Sequence, residues 1–224
     1  MGHGRGNMET LDQIGAALLF FGAGGWIAWL FGGTWLNRRR AVAVSRWLYH
    51  EARACGDRLA MRWITLAAFE LIVTQPRPPF RRLSFTAFLE SREMPFVWLW
   101  NRVRRRGDLL LLRAELRQAP VGELELFRPH SVLAGDARRA AEEAGWTPAL
   151  GADGLWRAGN GAAAFGERLL AALGPYAARV ERLAVRRGRP ELLLAVSLAG
   201  LELSAAPPLA QRLEQLAALA SRQP

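Results

Sequence analysis

With 224 residues the chain holds one ordinary domain plus an anchor, and its 30 basic against 20 acidic residues leave a formal charge of +10. That charge favours anionic partners such as phospholipid head groups, RNA or acidic proteins. A single cysteine, Cys55, excludes an intrachain disulfide, and nothing in the cysteine content asks for an oxidising compartment. Every basic residue is arginine. A GC-rich coding sequence and a use for the planar guanidinium fork both fit that bias.

In chain order, residues 1–13 form a short extracytoplasmic N-terminus and residues 14–36, "IGAALLFFGAGGWIAWLFGGTWL", an uncharged stretch long enough to span a bilayer as a helix. A cleaved signal peptide would have a shorter apolar region, basic residues before it and a small-residue cleavage site. Here the arginines follow the stretch, as Arg38, Arg39, Arg40 and Arg46, against Arg5 alone before it. The positive-inside rule therefore predicts an N-terminus outside and residues 37–224 as a basic cytoplasmic domain, with Trp35 at the inner interface. Gly24, Ala28 and Gly32 recur every fourth residue and present a nearly bare helix face, which would admit a second helix at close range.

Residues 38–60 have helical periodicity, with Val44, Trp47, Leu48 and Ala52 on one side. "LAAFELIVT" then reads as a strand, "QPRPPF" as a turn, and "RLSFTAFLE" as a second strand with Leu83, Phe85, Ala87 and Leu89 on one face. "MPFVWLWNRV" is a short apolar helix or turn whose Trp98 and Trp100 belong either in the core, the simpler placement, or at the lipid interface. In "DLLLLRAELRQ" Leu110, Leu112, Ala114 and Leu116 share one face and Arg113, Glu115 and Arg117 the other, the pattern of a half-buried strand. A turn and return strand follow, with Leu124 and Leu126 inward. Helices are expected over 132–145 and 164–174, the segment between them being a glycine-containing loop plugged by Trp156. A strand, the turn "RGRP" and a strongly apolar central strand come next, covered by a last helix with Leu209, Leu213, Leu216 and Ala220 on one stripe. Irregular alternation of strands and helices predicts an α+β class: one N-terminal transmembrane helix followed by one mixed domain.

No phosphate loop, dinucleotide fingerprint, cysteine pair or hydrolase elbow occurs, and His3, His50 and His130 are too scattered for a metal site, so no catalytic residue, metal or cofactor is expected. Cys55 reads as a small apolar side chain, since His50 is poorly spaced to act as its base. The arginines carry the remaining signal. Arg38, Arg39 and Arg40 suit topology and anionic lipid. Arg77, Arg81 and Arg82, with Arg102, Arg104, Arg105 and Arg106, suit an anionic partner such as ribosomal RNA, or only solvent.

The order of parts resembles one family. An N-out span, a basic exit "NRRRAVAVSRW", then "WNRVRRRGDLLLLRAELRQAP" and a strand look like calumin, the coiled-coil protein of the endoplasmic reticulum translocon, with Asn37, Trp47, Arg105, Asp108, Leu109, Leu110 and Pro120 carrying the match. Residues 164–220 also fit the order of its cytoplasmic domain. The resemblance implies a non-enzymatic adaptor beside a protein-conducting channel or insertase, helping membrane proteins to insert or assemble. A membrane-tethered enzyme with an unrecognised site and a homo-oligomeric membrane scaffold are the other two readings.

Overall fold

The computed structural model describes residues 4–65, 67–103 and 107–221. Its first element, α1 (Gly4–Cys55), is one unbroken helix of 52 residues, about 78 Å long. Two sequence patterns share it. Leu18, Leu19, Phe20, Phe21, Ile27 and Phe31 are exposed in the first half, whereas Ala41, Val44, Leu48, Ala52 and Cys55 are buried at helical spacing in the second. The helix thus passes from apolar all round to a single apolar stripe.

Periodicity predicts helix to residue 60, but α1 stops at Cys55. At Gly56 a Cβ would stand 2.5 Å from Val73 Cγ1 and 2.6 Å from Gln75 O, so the chain can pass only without a side chain. Arg77 closes the end. Its backbone N–H donates to Cys55 O at 2.8 Å and its Nη1 to Ala54 O at 3.3 Å, satisfying carbonyls that a helix terminus leaves open. The freed residues form β1 (Leu59–Thr65), an edge strand whose exposed Met61, Trp63 and Ile64 give it no buried face to read.

β2 (Ala68–Val73), β3 (Phe80–Phe88), α2 (Pro95–Val103), β4 (Leu109–Leu116), β5 (Leu124–Phe127), α3 (Ala134–Glu143), β6 (Ala149–Leu150), β7 (Trp156–Ala158), α4 (Ala162–Leu173), β8 (Val180–Val185), β9 (Leu192–Ser197) and α5 (Leu209–Ser221) follow. Among the described residues nine strands form one sheet in the order β1-β2-β3-β4-β9-β8-β5-β7-β6, antiparallel throughout. The apolar β9 is central, as its composition predicts. β5 does not return along β4. The β8–β9 hairpin lies between them, and β5 pairs with β8 and β7.

The second half of α1, α4 and α5 cover one sheet face, where Leu110, Leu112, Leu124, Leu126, Leu183 and Leu194 join one core. Full burial of each such leucine contributes about 1.5–3 kcal/mol. α3 covers part of the other face, with Ala134 and Ala137 against Phe127, on which Trp156 stacks at 6.4 Å. α1 is tied to α5 by polarity as well: Glu51 Oε2 accepts from Ala210 N–H at 2.8 Å, an acidic cap on the first turn of α5. The architecture is therefore mixed helix and sheet, with one long apolar N-terminal helix projecting from it.

Candidate functional site

The sheet has two ends: the exit end, where the apolar half of α1 leaves the domain, and the far end, beside Cys55. At the exit end the buried Gly33 and Asn37, the half-buried Arg40 and the more exposed Trp26 and Trp29 continue the line of the α1 stripe at helical spacing, and the segment 90–103 lies against them. Gly33 sets the approach, because a Cβ there would stand 2.2 Å from Arg92 O. Trp29 Nε1 donates to that carbonyl at 3.0 Å. Trp29 and Trp98 meet at 5.5 Å, Trp26 and Phe96 at 6.0 Å. Gly33→Val should push the two segments apart and abolish this indole hydrogen bond; tryptophan fluorescence shifting to the red in detergent solution would report it, and an unchanged spectrum would refute it.

Next to this contact lies a polar lock. Asn37 is buried, its amide donating to Glu90 O at 2.9 Å and accepting from Arg92 N–H at 3.0 Å. Arg40 donates from Nε to Asp108 Oδ2 at 2.8 Å and from Nη2 to Leu198 O at 2.9 Å. Asp108, 3% exposed, also accepts from Glu90 N–H at 2.9 Å, and Arg92 Nη2 stands 3.9 Å from both Asp108 and Glu90. Burial raises the Glu90 carboxyl above its ordinary range; Arg92 opposes this and Asp108 adds to it. A carboxyl raised in the folded state favours folding below its unfolded pKa, and that gain is lost as pH rises through the folded value. Glu90→Gln should therefore gain stability relative to wild type as pH rises above the ordinary glutamate range of about 4, read from urea midpoints; a pH-independent difference would exclude the effect.

Arg38 and Arg39 are exposed, Arg39 lying 5.5 Å over the Trp35 ring, whereas Arg40 is half-buried in the lock. Arg102 is exposed and stacks 5.8 Å from the Trp98 ring. Arg104, Arg105 and Arg106 lie outside the described residues. Arg77, Arg81 and Arg82 are at the far end, about 20 Å along β3 from the exit end, so they do not join Arg102 in one patch. They have internal partners: Arg77 pairs with Asp57 at 2.8 Å, Arg81 with Glu115 at 3.0 Å and Glu191 at 3.6 Å, and Arg82 with Glu115 at 3.5 Å. Trp98 is half-buried against α1 and Trp100 is exposed, so neither occupies the core; α2 buries none of its residues. Gly24, Ala28 and Gly32 are exposed, roughly half a turn from the Trp26–Gly33 stripe, and a Cβ at Gly24 or Gly32 would stand in open space.

Sequence reasoning misses one feature of the exit end, a broad cleft of about 1050 Å³ bordered by Val103, Arg128, His130, Ser131, Arg179 and Glu181. Arg128 donates to Val180 O at 2.9 Å and Ala178 O at 2.6 Å, and Arg179 to Ala199 O at 2.6 Å. These arginines stand singly in the sequence, so no run announces them. Among the described residues no three His, Cys, Asp or Glu side chains converge on a metal position. Burial, then the charges of Glu214 and Glu51, pushes the Cys55 thiol up to about 12 despite Arg77. Iodoacetamide at about pH 8 should leave the folded protein unmodified and label Cys55 in denaturant, by mass spectrometry; labelling of the folded state would show that the thiol is reachable. No protein-family model matches this chain, and no curated protein matches it.

Proposed function

We propose that the protein is a single-pass membrane protein, N-terminus outside and α+β domain in the cytoplasm, that acts without catalysis as an adaptor for the insertion or assembly of other membrane proteins, in the manner of calumin. The observation that carries this reading is the double role of α1. Ala17–Cys55 contains an 18-residue window of mean hydropathy 1.4 of which only 6% is buried, while the same helix supplies Val44, Leu48 and Ala52 to the domain core. Removal of the apolar half as a signal sequence would cut beside the lock that joins Asn37 and Arg40 to the domain. A hydrophobic span continued rigidly into a folded domain holds that domain in one pose against the bilayer, as an adaptor requires.

Three features suit such a role. Arg38, Arg39 and Arg46 follow the span, the side that the positive-inside rule keeps in the cytoplasm. The far end, with Arg77, Arg81 and Arg82, faces away from the bilayer, where ribosomal RNA or an acidic protein would approach. Gly24, Ala28 and Gly32 open the opposite side of the span to another helix, belonging to a client, a channel or a second copy. Affinity purification from detergent-solubilised membranes is the test: a channel, insertase or ribosomal component should be recovered, and recovery of none of them would overturn the adaptor.

The bare face also favours a homo-oligomeric scaffold as the second reading. Replacing Gly24 and Gly32 with leucine should weaken crosslinking to whatever helix occupies that face by about tenfold, the equivalent of ~1–2 kcal/mol of lost packing. If self-crosslinking is what falls, the scaffold reading stands in place of the adaptor; if no crosslink changes, the face has no partner.

A further inference from the structure

Resting on the anchored reading above, we infer that residues 91–103 form a re-entrant element whose helix α2 is immersed in the hydrocarbon core beside the span, so that lipid is the partner of its exposed apolar side. The segment leaves the domain at Glu90 and Arg92, bonded to Asn37, and returns at Asp108, bonded to Arg40. Both ends are thus fixed at the level where the arginines after the span begin. From Arg92 to Trp98 it climbs along α1. Trp98 packs on Trp29 and Phe96 on Trp26, which lie about 14 and about 18 Å above Arg38 along the helix axis, so the segment reaches the level of the bilayer midplane, about 15 Å from the edge of the hydrocarbon core. A tilt of about 20° shortens these depths by under a tenth.

The chemistry of the segment suits that depth. Met94–Asn101 carries no charge, and Phe96 is 75% and Val103 74% exposed. In water such a helix would be a costly surface, whereas in an acyl environment it needs no cover. Two of its backbone carbonyls are met within the protein, in the sense that bilayer immersion favours: Met94 O accepts from the Trp98 N–H at 2.9 Å and Arg92 O from the Trp29 indole. At nine residues α2 is about 13 Å long, too short to cross, so the chain must come back on the side it entered. Arg102, stacked on Trp98, begins the return toward the head groups.

The test uses the full chain in vesicles with the cytoplasmic side outward. In a Cys55→Ala background, Phe96→Cys and Leu99→Cys are compared with Leu19→Cys in the span and Arg187→Cys on the exposed far-end turn. A water-soluble maleimide should label positions 96 and 99 at least about tenfold more slowly than 187, detergent should abolish the difference, and lipids brominated in their acyl chains should quench a fluorophore at 96. Labelling of 96 and 99 as fast as 187, with 19 still protected, would overturn the re-entrant helix and leave the anchor standing. Labelling at 19 as well would overturn both. Protection that survives detergent would assign the surface to a protein, a second copy or a client helix, and overturn lipid as its partner.

Discussion

Replacing Asp108 with alanine should lower the stability of the α+β domain by about 2–4 kcal/mol and loosen the junction between the domain and the apolar half of α1. The carboxylate is 3% exposed and accepts from Arg40 Nε at 2.8 Å and Glu90 N–H at 2.9 Å. Its deletion leaves the Glu90 backbone donor without this acceptor and a half-buried guanidinium with Leu198 O as its remaining acceptor among the described residues. Breaking a fully buried pair costs about 3–5 kcal/mol, and because the Arg40 side chain is 24% exposed, water screens part of that loss. Asp108→Asn, which keeps one acceptor oxygen, should lose less. The urea midpoint in detergent gives the global cost, and faster maleimide labelling at position 96 gives the local one. A midpoint shift worth less than about 0.5 kcal/mol would mean that the lock holds nothing together.

Glu125→Ala should cost more still, about 3–5 kcal/mol, for a reason unrelated to that junction. Glu125 is completely buried on β5 and pairs with Arg182 Nε at 2.5 Å, with a second contact to Arg186 of the same hairpin. Arg182 is itself 6% exposed, so its guanidinium would be stranded without counter-charge. The pair is not the only way to fill the space. Glu125→Leu combined with Arg182→Met should recover most of the loss, since well-packed apolar side chains replace a buried ion pair at little cost. Thermal unfolding of the two variants decides it, and a double variant no better than Glu125→Ala would show that the polarity itself is required.

Glu125 also marks a limit of sequence reading. In "GELELF" the alternation of Leu124 and Leu126 with charges predicts a strand with one wet face, and the strand is there, but its second face is dry because α3 and Trp156 close over it. Alternation reports the pattern along one strand and is blind to what another part of the chain lays on top. Pairing fails for the same reason: the turn after β4 invites a hairpin, yet the β8–β9 hairpin takes the place beside β4 because its leucines fill the centre of the sheet.

The arginines divide likewise. Their runs are visible in the sequence, but the run at 77–82 is largely matched by Asp57, Glu115 and Glu191, which lie at distant positions of the chain. Arg128 and Arg179, solitary in the sequence, border one cleft only because β5 and β8 are neighbours in the sheet. Spacing along a helix or strand is local physics, so the uncharged stretch 14–36 of α1, the buried stripe that follows it, β2, β3, β4, the β8–β9 pair and α5 could all be read from the residues alone. The placement of α2 against Trp26, Trp29 and Gly33, the Asp108 lock and the charge at Glu125 could not. Each depends on groups brought together from dozens of positions apart, and only closing the fold determines which surfaces remain exposed.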